Sequence, residues 1–231
     1  MTAIFLLSSA KSFAMTRLRL LAMLLALSVN FSAFSQSDGF TSSFVPDSVF
    51  QRMQGRSWPA GCKARRSDLR FLTLRHFDEN GIEKTGEMIC HKSIAVSLLA
   101  IFRELHARRY PIHSIRLVDD FNGSDSLSME ANNTSCFNYR LTANGTLSRH
   151  AKGMAVDINP LWNPCVHLQG KHKGIVEPPS GKPFLKRDAT RCVSTFRMIT
   201  PTDECYRLFL RHGFRWGGAW NSLKDYQHFE K

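Results

Sequence analysis

The chain has 231 residues, 43% of them hydrophobic, with 31 lysines and arginines against 19 aspartates and glutamates and a formal net charge of +12. A surface of that sign favours polyanionic surroundings, but the basic residues are scattered, which speaks against nucleic acid as the substrate and leaves ordinary solubility charge as the plain alternative. Length allows about one domain, by the rule of roughly 100–200 residues per domain, with enough chain to bury a core.

The first segment reads as an export signal. Thr16-Arg17-Leu18-Arg19 forms a positive stretch after Met15, Leu20 to Val29 is apolar, and Ala33-Phe34-Ser35 offers small residues before a cut ahead of Gln36. Met1 to Ala14 is either an upstream start or an extended positive region. The apolar run falls short of the about 20 residues that span a bilayer, so export is expected over an uncleaved anchor, with no stable membrane insertion after cleavage. Removing residues 1–35 leaves 196 residues and a balance of +9. Residues 36–61 are polar, with Gly, Ser and Pro, and are expected as an N-terminal extension; residues 62–231 are expected as the catalytic domain. All six cysteines (Cys62, Cys90, Cys136, Cys165, Cys192, Cys205) lie in the mature part, and an exported chain predicts disulfides. Sequence does not choose their connectivity, although a local Cys192–Cys205 bridge is the least demanding.

Further along, patterning predicts an α+β domain. Arg70 to Phe77 alternates as a strand, Asn80-Gly81 signals a turn, and Gly86 to Cys90 supplies the returning strand of a hairpin. Ser93 to Arg109 carries an apolar stripe of Ile94, Leu98, Ile101, Phe102 and Leu105, ending in basic residues before Pro111, which predicts a helix. Ile115 to Val118 and Met154 to Ile158 are expected as short strands. Residues 161–190 hold several Gly, Pro and Lys residues and are expected as an insertion loop beside the site. Asp203 to His212 predicts a second helix closed by Gly213.

The chemistry concentrates in Ser148-Arg149-His150-Ala151-Lys152-Gly153-Met154-Ala155-Val156-Asp157 and, far downstream, Asp225-Tyr226-Gln227-His228. His150, Asp157 and His228 make a set of two imidazoles and one carboxylate. Three N/O ligands with one open position describe a catalytic zinc, because structural zinc sites usually have four protein ligands. Asp225, three residues before His228, has the natural role of general base toward water. Because His228 stands near the chain end, where residues fray unless tied down, Phe229 is expected to be buried beside the site and the last strand paired in the sheet.

The segment Ser148-x-His150-x-x-Gly153-x-Ala155-x-Asp157-Ile158 resembles the first metal motif of the zinc D-Ala-D-Ala peptidases. That family spans vancomycin-resistance dipeptidases, carboxypeptidases and phage L-alanyl-D-glutamate endolysins. Asp225-x-x-His228 is similar to its second motif, and Tyr139-Arg140 to its Tyr-Arg segment. Asn132 to Ser135 and Asp157 to Pro160, with Asp225 to Lys231, resemble the endopeptidase-type branch. The likeness covers roughly residues 85–231. It implies a small antiparallel sheet flanked by helices with the zinc site on the sheet, a fold shared with hedgehog-type domains. It also implies that Arg140 faces the substrate carbonyl, where it is the candidate to steady the oxyanion, and that Ser148 lies near the substrate, with loop ordering as its alternative role.

Trp216 and Trp220 are candidates to wall the cleft, Trp216 being taken as substrate-binding, against core packing as the commoner use of such aromatics. The remaining histidines are expected to be solvated or structural, although His167 and His172 lie in the expected loop beside the site. Together these residues predict an exported, periplasmic or secreted, bacterial zinc peptidase. Its partners would be peptidoglycan stem peptides rather than nucleic acid, and it would act as a monomer. Its bond would be L-Ala-D-Glu (endopeptidase) or D-Ala-D-Ala (carboxypeptidase). The rival classes are an inactive cell-wall-binding module and a hedgehog-like zinc domain.

Overall fold

Alternating side chains set the frame. In the computed structural model, which describes residues 38–142, 145–187 and 197–231, β1 (Thr41–Ser43) pairs with β2 (Leu69–Phe77), which pairs antiparallel with β3 (Glu83–His91). The expected hairpin is present, and its turn is held by the Asp78 carboxylate, which accepts the Asn80 and Ile82 N–H groups at 2.9 Å each. The expected signal segment, residues 1–35, lies outside the described residues.

Strand periodicity gives this sheet two apolar faces. Leu72, Leu74, Met88 and Cys90 face the main core, while Leu69 and Ile89 face a second cluster with Val45, Val49 and Met53. The last three come from the segment 36–61. Residues from Gly39 onward belong to the same compact unit as the rest of the domain, with α1 (Asp47–Met53) laid on the hairpin. The stripe expected between Ser93 and Arg109 becomes α2 (Lys92–Ala107), and Ile94, Leu98, Ile101, Phe102 and Leu105 are all fully buried. Burial of each such side chain is worth about 1.5–3 kcal/mol.

The stretch expected as a strand at 115–118 is shorter. β4 is Ser114–Ile115, and a 3-10 turn begins at Val118, because the Asp119 carboxylate accepts both the backbone N–H and the hydroxyl of Ser57 at 3.0 Å and draws the chain inward. α3 (Asp125–Glu130) leads into β5 (Asn133–Thr134), parallel to β4. The expected loop over 161–190 contains β7 (Cys165–His167) and β8 (Val176–Glu177), which follow β6 (Ala155–Asp157). Positive-φ Gly170 and Gly174 supply the bends, and Cys165-Val166 and Val176 supply the pairing. α4 (Glu204–Arg211) is capped by the Asp203 carboxylate, which accepts the Cys205 N–H at 2.8 Å, and Gly213 follows at φ 80°.

Three short strands close the chain: β9 (Arg215–Trp216), β10 (Leu223–Asp225) and β11 (His228–Glu230). Two small antiparallel sheets result, in orders β6-β11-β9 and β10-β7-β8. The end is tied down as expected. Phe229 is fully buried and stacks on Phe209 with centroids 4.2 Å apart.

The expected disulfides are absent among the described residues, where Cys62, Cys90, Cys136, Cys165 and Cys205 are free thiols; Cys192 lies outside them. Cys90, Cys136 and Cys205 are instead packed in the main core, as small apolar side chains.

Gly153 joins the halves of the first motif. It sits at φ 65°, and a Cβ there would lie 2.7 Å from the His91 backbone nitrogen. Gly153→Ala is therefore expected to lose about 1–3 kcal/mol, read as a lower urea midpoint. An unchanged midpoint would show that the turn is not strained.

Candidate metal centre and its cleft

His150 opens a 3-10 turn (His150–Lys152) two residues after Ser148, whose hydroxyl oxygen accepts the His150 backbone N–H at 3.2 Å. Ser148 is buried, and this bond ties it to the turn. The chain then reverses at Gly153 and rises along β6 to Asp157. In the pairing of β6 with β11, Asp157 stands opposite His228, so both side chains emerge on one face.

All three side chains are buried, and their polar atoms converge. His150 Nε2 lies 3.1 Å from His228 Nδ1 and 3.2 Å from one Asp157 oxygen, while His228 Nδ1 lies 3.1 Å from the other. These atoms could hold a metal ion. Tetrahedral zinc, with ligand bonds of about 2.0–2.2 Å, places its ligand atoms about 3.3 Å apart, which the observed separations match.

The outer nitrogens are also engaged, which fixes which nitrogen faces inward. His150 Nδ1 donates to the Cys136 carbonyl at 2.7 Å. His228 Nε2 faces the Glu230 carboxylate at 3.3 Å, and Glu230 is gripped in turn by Arg215 at 2.7 Å. Glu230 was not singled out in the sequence, yet two residues after His228 on a strand is the same face, a signal that could have found it.

The electrostatics show a centre that favours positive charge. Burial raises the cost of ionising Asp157, but the two imidazoles outweigh it and hold its carboxyl well below the usual carboxylate range. Burial likewise opposes charge on His228, yet bonds to Asp157 and Glu230 lift its pKa to about 10. Asp225 differs. Burial pushes its pKa up to about 7, against the pull of His228, and its Oδ1 is buried without a partner among the described residues.

Asp225 reaches the site through close backbone packing. A Cβ on Gly217 would lie 2.7 Å from the Asp225 carbonyl oxygen and 3.2 Å from His228 Cβ, so only glycine lets the Gly217–Ala219 turn back onto both. A cleft of about 750 Å³ opens over these groups and is also lined by Arg140, Ser148 and Trp220. Arg140 pairs with Asp125 at 2.8 Å, and its carbonyl accepts the Ser148 N–H at 3.1 Å, which ties it to the start of the motif. Trp216 does not line the cleft. It is buried, its indole N–H donates to the Tyr226 carbonyl at 2.9 Å, and its ring meets Tyr206. Trp220 takes the wall position, with its ring 5.2 Å from that of His228. His167 and His172 also line the cleft.

Residues 142–231 match a family model described as D-alanyl-D-alanine carboxypeptidase. The match supports that peptidase family and does not reach the endopeptidase-type branch. It covers His150, Asp157, Asp225 and His228, whereas Arg140 precedes it. The chain matches no curated protein and no solved structure.

The raised pKa of Asp225 makes a test in metal-free protein. A carboxyl raised in the folded state lends stability that is fully present below its unfolded pKa of 3.8 and lost as pH rises through about 7. An asparagine side chain in its place does not titrate. The melting temperature of Asp225→Asn relative to wild type should therefore climb between about pH 4 and about pH 8. A difference independent of pH would contradict the burial of this carboxyl.

Proposed function

We propose that the protein is a zinc peptidase that hydrolyses peptide bonds of peptidoglycan stem peptides, exported to the cell envelope and acting as a monomer. The observation that carries this reading is the convergence of His150, Asp157 and His228 in a cleft also lined by Asp225, whose Oδ1 is buried with no partner among the described residues. The family match over residues 142–231 supports peptidase chemistry. Among the described residues no helix is long and apolar enough to cross a membrane.

His150 through Nε2, His228 through Nδ1 and Asp157 through its carboxylate would hold the ion. When bound, zinc supplies Lewis-acid polarisation of the scissile carbonyl and of the attacking water. Asp225, with its pKa near neutrality, takes the proton of that water and returns it to the leaving amine. Arg140 provides positive charge toward the developing oxyanion, its reach set by the Asp125 pair. Trp220 walls the cleft beside His228. A wall-binding module or hedgehog-like zinc domain without catalysis would have no use for a half-buried Asp225 whose Oδ1 is buried without a partner among the described residues.

Both L-Ala-D-Glu endopeptidase and D-Ala-D-Ala carboxypeptidase action fit this chemistry, and the endopeptidase-type likeness of Asn132 to Ser135 and Asp157 to Pro160 favours the first. Mass spectrometry of muropeptides incubated with the protein identifies the bond from product masses. Products are expected from wild type, and a complete absence with zinc-loaded protein would overturn the reading. Asp225→Asn should retain zinc while kcat falls by about 10²–10⁴-fold, and Arg140→Ala should lower kcat by about 10²–10³-fold. Full activity in Asp225→Asn would place the base elsewhere.

The outer bonds give an independent readout. Glu230→Gln should weaken zinc about 10–100-fold in competition with a chelator, since the inward orientation of His228 Nδ1 depends on that carboxylate. Unaltered affinity would mean that β11 alone sets the ring.

A further inference from the structure

A second group of metal-ligand side chains stands on the neighbouring sheet. In β10-β7-β8, Cys165 lies opposite Asp225 on one side and opposite Glu177 on the other. Residues opposite one another in antiparallel strands share a face, and His167, two residues beyond Cys165, shares it too. That face is the one turned to the cleft: Asp225, Cys165, Glu177 and His167 all line it, while the intervening Val166, Lys224 and Val176 do not. The donor atoms of Cys165, His167 and Glu177 all lie within 4.8 Å of one another, with His167 Nε2 at 3.0 Å from a Glu177 oxygen.

Two further observations set this group apart from a solvated surface cluster. Cys165 is buried rather than exposed. Beside the row, two acceptor oxygens, Asp225 Oδ1 and Gln227 Oε1, are buried with no partner among the described residues, and the Gln227 amide nitrogen reaches the Glu177 carbonyl at 3.5 Å. Acceptors and ligand atoms are thus gathered on one face of the cleft.

We propose that Cys165, His167 and Glu177 form a second metal site in the cleft, distinct from His150, Asp157 and His228 and selective for thiophilic divalent cations of the zinc class. One thiolate, one imidazole and one carboxylate suit zinc, whereas magnesium and calcium prefer oxygen ligands alone. On binding, the sulfur–metal bond replaces the S–H bond, and the proton leaves to solvent.

Cobalt(II) separates the two centres, because only the second contains sulfur and only a sulfur ligand gives a thiolate-to-cobalt charge-transfer band in the near ultraviolet. Metal-stripped full-length protein titrated with cobalt(II) is expected to take up two ions and to develop that band. Cys165→Ser should lose the band and one ion while keeping the other. His167→Gln and Glu177→Gln alter partly exposed side chains and should weaken cobalt at the band by about tenfold or more; they carry the test if Cys165→Ser does not fold. His150→Ala should keep the band, so failure of the first site would leave one ion bound with the band intact. No band in folded wild type, or a band unchanged in Cys165→Ser and in both glutamine variants, would overturn the second site.

Discussion

Asp157 and His228 are 71 residues apart in sequence, and their meeting depends on the register in which β6 and β11 pair. Side chains alternate across a strand, so a slip by one residue would turn Val156 or Phe229 toward the cleft and send a ligand into the core. Both of those apolar side chains are fully buried on the opposite face, and Phe229 is locked by its stack on Phe209. The hydrophobic core and the candidate metal centre are therefore specified by the same pairing, one on each face of β11. Cleft residues inherit their places from it: Gly217 packs on Asp225 and His228, and Trp220 leans on the His228 ring.

Two imidazoles and two carboxylates at the base of one cleft, three of the four buried, oppose the general tendency to keep charge in water. The fold accepts this because each group except Asp225 has a partner. The Cys136 carbonyl and Glu230 satisfy the outward nitrogens, leaving the inward atoms to face one another around a centre that favours a cation. His228 raised and Asp157 lowered are two expressions of that same preference. Asp225 is left with one buried oxygen that has no partner among the described residues, a local cost of the kind that collects where a protein works rather than where it merely packs.

Much of the centre could be read from the sequence because it is written locally. His150, Gly153 and Asp157 lie within one short turn and strand, and Asp225 and His228 within another. The helix at Lys92–Ala107 and the hairpin at Leu69–His91 were legible from periodicity, since each buries a whole stripe or face. What escaped depends on distant partners. Asp119 bending the chain after Ile115 depends on Ser57, far away in sequence. The strands β7 and β8 are too short to alternate visibly and exist by pairing with each other and with β10. Composition gave no means of choosing between Trp216 and Trp220; that follows from the Tyr226 carbonyl, which holds one indole in the core. The expectation for the cysteines comes from secretion, which predicts pairing, while among the described residues the core takes three of them as apolar filling.

The inward-facing atoms are specific enough to be seen directly. In crystals of the zinc-loaded protein, an anomalous difference map at the zinc edge should place an ion about 2.0–2.2 Å from His150 Nε2, an Asp157 carboxylate oxygen and His228 Nδ1. Glu230 should remain on His228 Nε2. An ion bound elsewhere with these three atoms vacant, or one held by His228 through Nε2, would contradict the account.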